Sequence, residues 1–201
     1  MILDDFLAYI LPNAKGCPAI IANQATRLAI IELCGKSLIW REYQDSISTM
    51  ALKTAYEYEV GTDQQIVMLL SLTLAGDDVA VVDPQKGRTL DAKGYAGSYA
   101  YGTFTGFELR PAQAAAQSIV TYSAVAPSIA ATAVPDSMGR YIEAIANGAL
   151  SRILAAKDKE YSDVAGAVNA RTKWDDAIAD AKGDALRGNA RTVTRTSMVR
   201  F

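Results

Sequence analysis

The chain of 201 residues contains no histidine. That absence removes Ser-His-Asp and Cys-His nucleophile systems, imidazole metal sites, and the one unperturbed side chain that titrates near pH 6.5. Only two cysteines occur, Cys17 and Cys34, too few for a four-ligand zinc cage. A chain of this length buries roughly 70% of its unfolded surface on folding and needs no staple. Both cysteines are therefore expected as free thiols, as in a reducing compartment. No apolar run reaches the ~20 residues of a membrane span. The longest, residues 64–75, is broken by Ser71 and Thr73. The first ten residues hold Asp4 and Asp5 and no base, unlike a secretory signal. Phosphate-binding Gly-x-Gly-x-x-Gly and Gly-x-x-x-x-Gly-Lys loops are also missing. These absences point to a soluble protein made in the cytoplasm, with no membrane, cofactor or metal site expected.

The charge that is present is unevenly placed. The whole chain has 20 basic and 22 acidic residues, a net of -2. Residues 187–201 hold Arg187, Arg191, Arg195 and Arg200 and no acid, so the remainder carries a net of -6. An acidic body with a basic end implies that the end meets something specific, not that the body coats nucleic acid.

Leu3, Phe6, Leu7 and Ile10 recur at three and four, predicting a short amphipathic helix ended by Pro12, Asn13 and Gly16. Pro18 suits the first turn of a second helix, which carries Ile21, Leu28, Ile31, Leu33 and Cys34 and meets a stop at Gly35. Cys34 reads as a small core hydrophobe. From Leu38 the texture becomes strand-like: Trp40, Tyr43 and Ile47, then residues 55–60, 66–74, 79–82, 107–109 and 118–125. Gly76-Asp77-Asp78 reads as a hairpin turn, and Asp83-Pro84 and Lys86-Gly87 as breaks. Residues 94–107, with four glycines among Tyr95, Tyr99, Tyr101, Phe104 and Phe107, read as a mobile or partner-ordered loop passing into strand.

Helical period returns at Val134-Pro135-Asp136, where Asp136 is placed to cap a helix bearing Tyr141, Ile142, Ile145, Ala149, Ile153 and Leu154. A last helix is expected over 158–186, about 43 Å long at ~1.5 Å per residue, with Val164, Val168, Trp174, Ile178, Ala181 and Ala185 on its buried side. The expected fold is therefore α+β and mainly helical. Residues 1–36 and 136–185 form a helical bundle, 37–135 a β-rich insertion between its halves, and 186–201 an extended C-terminal tail.

The motifs carry little chemistry. Gly76-Asp77-Asp78 matches the metal-binding turn of polymerases, but the chain is too short for the rest of that site, and a hairpin explains it. Glu57, Glu59 and Glu108 are the carboxylates that could serve a glycoside hydrolase; a solvated strand face is the plainer account. The tyrosines of 94–107 could stack bases, but only Lys93 and Arg110 lie near them. In the tail, Thr192-Val193-Thr194-Arg195-Thr196-Ser197-Met198-Val199 is rich in branched residues, as suits a strand added to a partner's sheet edge.

Three stretches resemble the head-to-tail adaptor, or head-completion, proteins of short-tailed bacteriophages. One is Ile30-Ile31-Glu32-Leu33-Cys34-Gly35-Lys36-Ser37-Leu38-Ile39-Trp40-Arg41-Glu42. Another pairs Asp83-Pro84 with Leu109-Arg110-Pro111. The most specific runs from Val134-Pro135-Asp136 through Tyr141-Ile142-Glu143-Ala144-Ile145-Ala146-Asn147-Gly148-Ala149-Leu150-Ser151-Arg152 to the Arg-rich end at Phe201. The resemblance covers most of residues 25–201. It implies a structural virion protein of the neck, not an enzyme, that forms a ring, generally of twelve copies, below the portal protein. Such a ring extends the DNA channel, passes duplex DNA without reading its sequence, and offers tail or nozzle proteins a platform. It assigns portal binding to Arg187, Arg191, Arg195, Arg200 and Phe201. Other readings are a different neck or tail-tube component, a carboxylate-dependent cell-wall hydrolase, and a nucleic-acid-binding module using the tail.

Overall fold

A computed structural model describes residues 1–103 and 105–187. The N-terminal part has a 3-10 turn over Leu3–Phe6, then α1 (Leu7–Ile10) and α2 (Ala19–Ser37). Strands β1 (Arg41–Tyr43), β2 (Ile47–Ser48), β3 (Ala55–Glu57), β4 (Gln64–Leu74) and β5 (Asp77–Val81) follow. Helix α3 (Pro84–Ala92) leads to β6 (Tyr99–Gly102), β7 (Gly106–Arg110) and β8 (Ser118–Pro127). A 3-10 turn, Asp136–Tyr141, precedes α4 (Ile142–Ile153), and α5 (Val164–Leu186) comes last.

The expectation of a mainly helical protein built on a helix bundle is wrong. The protein is mixed α/β, the described residues being 41% helix and 24% strand, with a curled, half-barrel sheet. Seven strands run in the order β1-β8-β4-β5-β6-β7-β3, and β2 also pairs with β8. The physical reason is that the middle of the chain closes one continuous sheet and buries part of it in the core of the helices. Trp40, Val125 and Ala126 lie in one core with Ala29, Ile30, Leu33, Ile145, Ala149 and Trp174. A second core fills the curl of the sheet with Tyr56, Leu69, Leu72, Phe107, Leu109 and Ile119.

All ladders are antiparallel except β5 with β6. A parallel neighbour cannot be reached through a tight turn and needs a crossover. Helix α3 supplies it. Residues 83–92 therefore continue as a helix where breaks were expected. Asp83 accepts a hydrogen bond from the Lys86 N–H (2.8 Å) and Pro84 takes the first helical turn. Gly87 lets α3 settle on the sheet, because a Cβ there would stand 2.5 Å from Tyr101 Cδ1.

The helices show the expected periodicity with shifted ends. Helix α2 runs past Gly35 to Ser37, and Leu38 caps it in the left-handed conformation (φ 54°). Its buried face is Ala22, Ala25, Thr26, Ala29, Ile30, Leu33, Cys34 and Ser37, a stripe of helical period. Helix α5 begins at Val164, not near 158, because Asp163 caps it by accepting from the Gly166 N–H at 3.0 Å. Its 23 residues span about 34 Å at ~1.5 Å each. Asp136 caps no helix: it sits in the 3-10 turn, and the residue preceding α4 is Tyr141.

Candidate interaction surfaces

The polar clusters of the body are knotted into the fold. Glu32 on α2 accepts from Lys36, Arg152 and the Trp174 indole N–H, and Arg171 lies 3.4 Å away. Burial opposes its ionisation, but the hydrogen bonds from Lys36, Arg152 and Trp174 prevail and hold the carboxyl at about 2. It ties α2 to α4 and α5.

The candidate carboxylates Glu57, Glu59 and Glu108 are held in different ways. Glu108 accepts from the Tyr101 hydroxyl at 2.8 Å and from Arg110 at 2.9 Å. Those donors hold its pKa below the ordinary value, Tyr101 contributing most, the opposite of what a general acid requires. Glu57 is exposed on β3, opposite Gly106, and Glu59 is exposed beyond that strand. Among the described residues no group of three or more metal-capable side chains gathers.

The tyrosines of 94–107 do not form a stacking platform either. Tyr99 is 2% exposed and Tyr101 6%, both beneath α3, and Phe107 lies in the core of the sheet. Tyr99 donates to Asp91 of α3, and burial with that carboxylate raises its pKa to about 12. Much of the segment expected as a loop is thus a strand pair: Tyr99 opposes Arg110 and Tyr101 opposes Glu108. Among the described rings of 94–107 Tyr95 alone stands well exposed, edge-on to Tyr99; Phe104 lies outside the described residues.

Both cysteines are buried and unpaired. Cys34 is fully buried, and burial pushes its thiol up to about 12, so it acts as a small core hydrophobe. Gly76-Asp77-Asp78 is a hairpin corner: Ala75 and Gly76 form the two-residue loop with φ of 53° and 95°, the primed-turn geometry.

Of the residues assigned to portal binding, Arg187 ends α5 and is exposed. Arg191, Arg195, Arg200 and Phe201 lie outside the described residues.

Two surfaces stand out among the described residues. One is apolar side chains on the helices: Val164 and Val168 of α5, expected on its buried side, are 76% and 63% exposed, and Ile20 and Leu28 of α2 are 78% and 38% exposed. The other is a groove of about 910 Å³ along β4, lined by Tyr58, Gln64, Ile66, Met68, Asp83 and Gly102 among others. It exists because β4 is longer than its neighbour. Strand β8 pairs with β4 from Gln64 to Leu74, but β5 pairs only with Leu72, Thr73 and Leu74. Among the described residues nothing pairs with the other edge of β4 over 64–71. Val67 and Met68 are exposed there. Among the described residues Asp83 is the only charged side chain lining the groove.

Among the described residues no helix is long and apolar enough to cross a membrane. No protein-family model matches the chain, and no curated protein matches it.

Proposed function

We propose that the protein is a head-to-tail adaptor of a short-tailed bacteriophage: a structural, non-enzymatic virion protein that forms a ring, of about twelve copies by the family resemblance, beneath the portal. The observation that carries the reading is the set of large apolar side chains on the outward faces of α2 and α5, Ile20, Leu28, Val164 and Val168. Apolar groups on the outside of packed helices favour contact with another protein surface. Contacts repeated around a closed rotation make a ring. The polar clusters around Glu32 and Glu108 are taken up in fixing the fold, which fits a protein whose work is contact.

In this reading Arg187, Arg191, Arg195, Arg200 and Phe201 dock on the portal protein, and the opposite end of the ring receives tail or nozzle proteins. Residues 1–186 carry a net charge of -6, which suits a channel wall that does not trap a passing duplex. Fixing a tail costs roughly 1–2 kcal/mol per backbone residue, so docking must form many hydrogen bonds and charge pairs. The test is co-purification with portal. The full chain should bind and form a ring on it. Removal of residues 187–201 should leave a folded body that no longer binds; unchanged binding by that truncation rejects the docking assignment.

A further inference from the structure

We propose that the open edge of β4 receives residues 192–199 of a second copy of the chain as an added strand. The acceptor is built for one. Eight residues of β4, 64–71, lack a strand partner on one side among the described residues. At ~3.3 Å per residue they offer at most about 26 Å of unpaired edge, interrupted where the register with β8 shifts between Ile66 and Met68 and between Leu69 and Ser71, and an unpaired edge is a template for another strand. The groove beside it is apolar at Ile66 and Met68 and is open to solvent at Met68, 51% exposed.

Charge favours a basic occupant: among the described residues Asp83 lines the groove and no basic side chain does. Residues 54–85, which supply β3, β4 and β5, hold six acids and no base: Glu57, Glu59, Asp63, Asp77, Asp78 and Asp83. The matching segment in this sequence is Thr192-Val193-Thr194-Arg195-Thr196-Ser197-Met198-Val199. It is eight residues long, five of them β-branched, without glycine or proline, and flanked by Arg191 and Arg200. β-Branched residues suit a pleated, half-buried surface. Backbone hydrogen bonds would supply affinity and alternate side chains register.

The inference rests on the ring reading, in which a head-to-tail contact would bring one copy's C-terminal segment to a neighbour's groove. The last turn of α5 is held in the helical layer by Asp184, which accepts from the Tyr141 hydroxyl at 3.0 Å. The five steps from Arg187 to residue 192 reach at most about 17 Å. Pairing over 192–199 leaves Arg187, Arg191, Arg200 and Phe201 outside the paired stretch for the portal contact, and gives Arg195 to the contact between copies in place of the portal.

The test uses the full chain. Copies carrying Met68→Cys are mixed with copies carrying Thr194→Cys under mild oxidation; the native cysteines are buried. A mixed disulfide between copies is expected. It should disappear when Val193→Pro and Thr196→Pro are added to the donor copy, since one odd and one even proline remove an edge-facing N–H in either register. The same two prolines in the otherwise unaltered chain should speed hydrogen exchange within residues 64–71 about tenfold or more, leaving α2 and α4 unchanged. Equal exchange with no mixed disulfide overturns the proposal. Faster exchange without a mixed disulfide also overturns it, since the segment would then lie on its own chain. Portal binding without the cross-link rejects only strand addition, whereas the cross-link without portal binding rejects only the adaptor reading.

Discussion

Gly148 of α4 lies directly against the indole of Trp174 in α5: a methyl group on Gly148 would stand 2.8 Å from Trp174 Cδ2 and 3.0 Å from Ala29 Cβ of α2. Trp174 is fully buried. The missing side chain is thus what allows α4 to approach two helices at once. Gly148→Ala should destabilise the protein by about 1–3 kcal/mol through overpacking. Trp174→Ala should cost about 3–5 kcal/mol through the cavity it leaves. Urea unfolding checks both. A Gly148→Ala protein as stable as wild type would show that the helices have room to part.

The same junction makes the fold sensitive to acid. Glu32 has its pKa lowered from 4.5 to about 2 in the folded state. The unfolded chain then binds more protons than the folded one between those values. Stability from this group is full above about pH 5 and is lost as pH falls toward 2. Its size is on the order of 2 kcal/mol. Glu32→Gln should remove that part of the acid dependence and lower stability near neutrality, because Arg152 and Trp174 lose a charged acceptor. Denaturation midpoints from pH 2.5 to pH 7 would reveal it as a flatter profile.

Glu108 is expected to matter for folding and not for turnover. Its carboxylate holds Tyr101 and Arg110 on the face that α3 covers. Glu108→Gln should lose about 1–2 kcal/mol of stability, as for a hydrogen bond to a charged group. Neither Glu108→Gln nor Glu57→Gln should alter any activity on peptidoglycan, since none is expected of the wild type. Measurable release of glycan fragments by wild type, lost in either variant, would revive the hydrolase reading.

The strands that show clear periodicity or dense apolar runs were legible. Residues 66–74 and 118–125 anticipated β4 and β8 within two residues at each end. Spacing marked Trp174, Ile178, Ala181 and Ala185 of α5 and Leu33 and Cys34 of α2 as buried, but Val164, Val168, Ile21 and Leu28, expected with them, are exposed. What misled was partition. Trp40, Val125 and Ala126 are buried by α2 and α4, yet nothing in their local pattern says which element covers them. A region read as an insertion proved to be the sheet that the helices rest on. The groove was hidden for a related reason: it arises from a difference in length between β4 and β5 pairing, a property of register that single-strand patterns do not carry. The partners of Glu108 were only half legible: Arg110 stands two residues along β7, but Tyr101 reaches it only once β6 and β7 pair.

Helix α3 was missed for a reason that can be tested. Asp83-Pro84 is a strand breaker, but it is also a helix start, with the aspartate as cap and the proline in the first turn. Proximity of Lys86-Gly87 favoured the first meaning, whereas the parallel pairing of β5 with β6 demands the second. If the cap is what decides, Asp83→Ala should cost about 1 kcal/mol and Asp83→Asn almost nothing, because asparagine caps as well as aspartate. Hydrogen exchange would place the loss: amides of α3 should open faster in Asp83→Ala, with those of α2 and α4 unaffected. Equal protection of α3 in both variants would mean that the packing of Gly87 against Tyr101 holds the crossover without help from its cap.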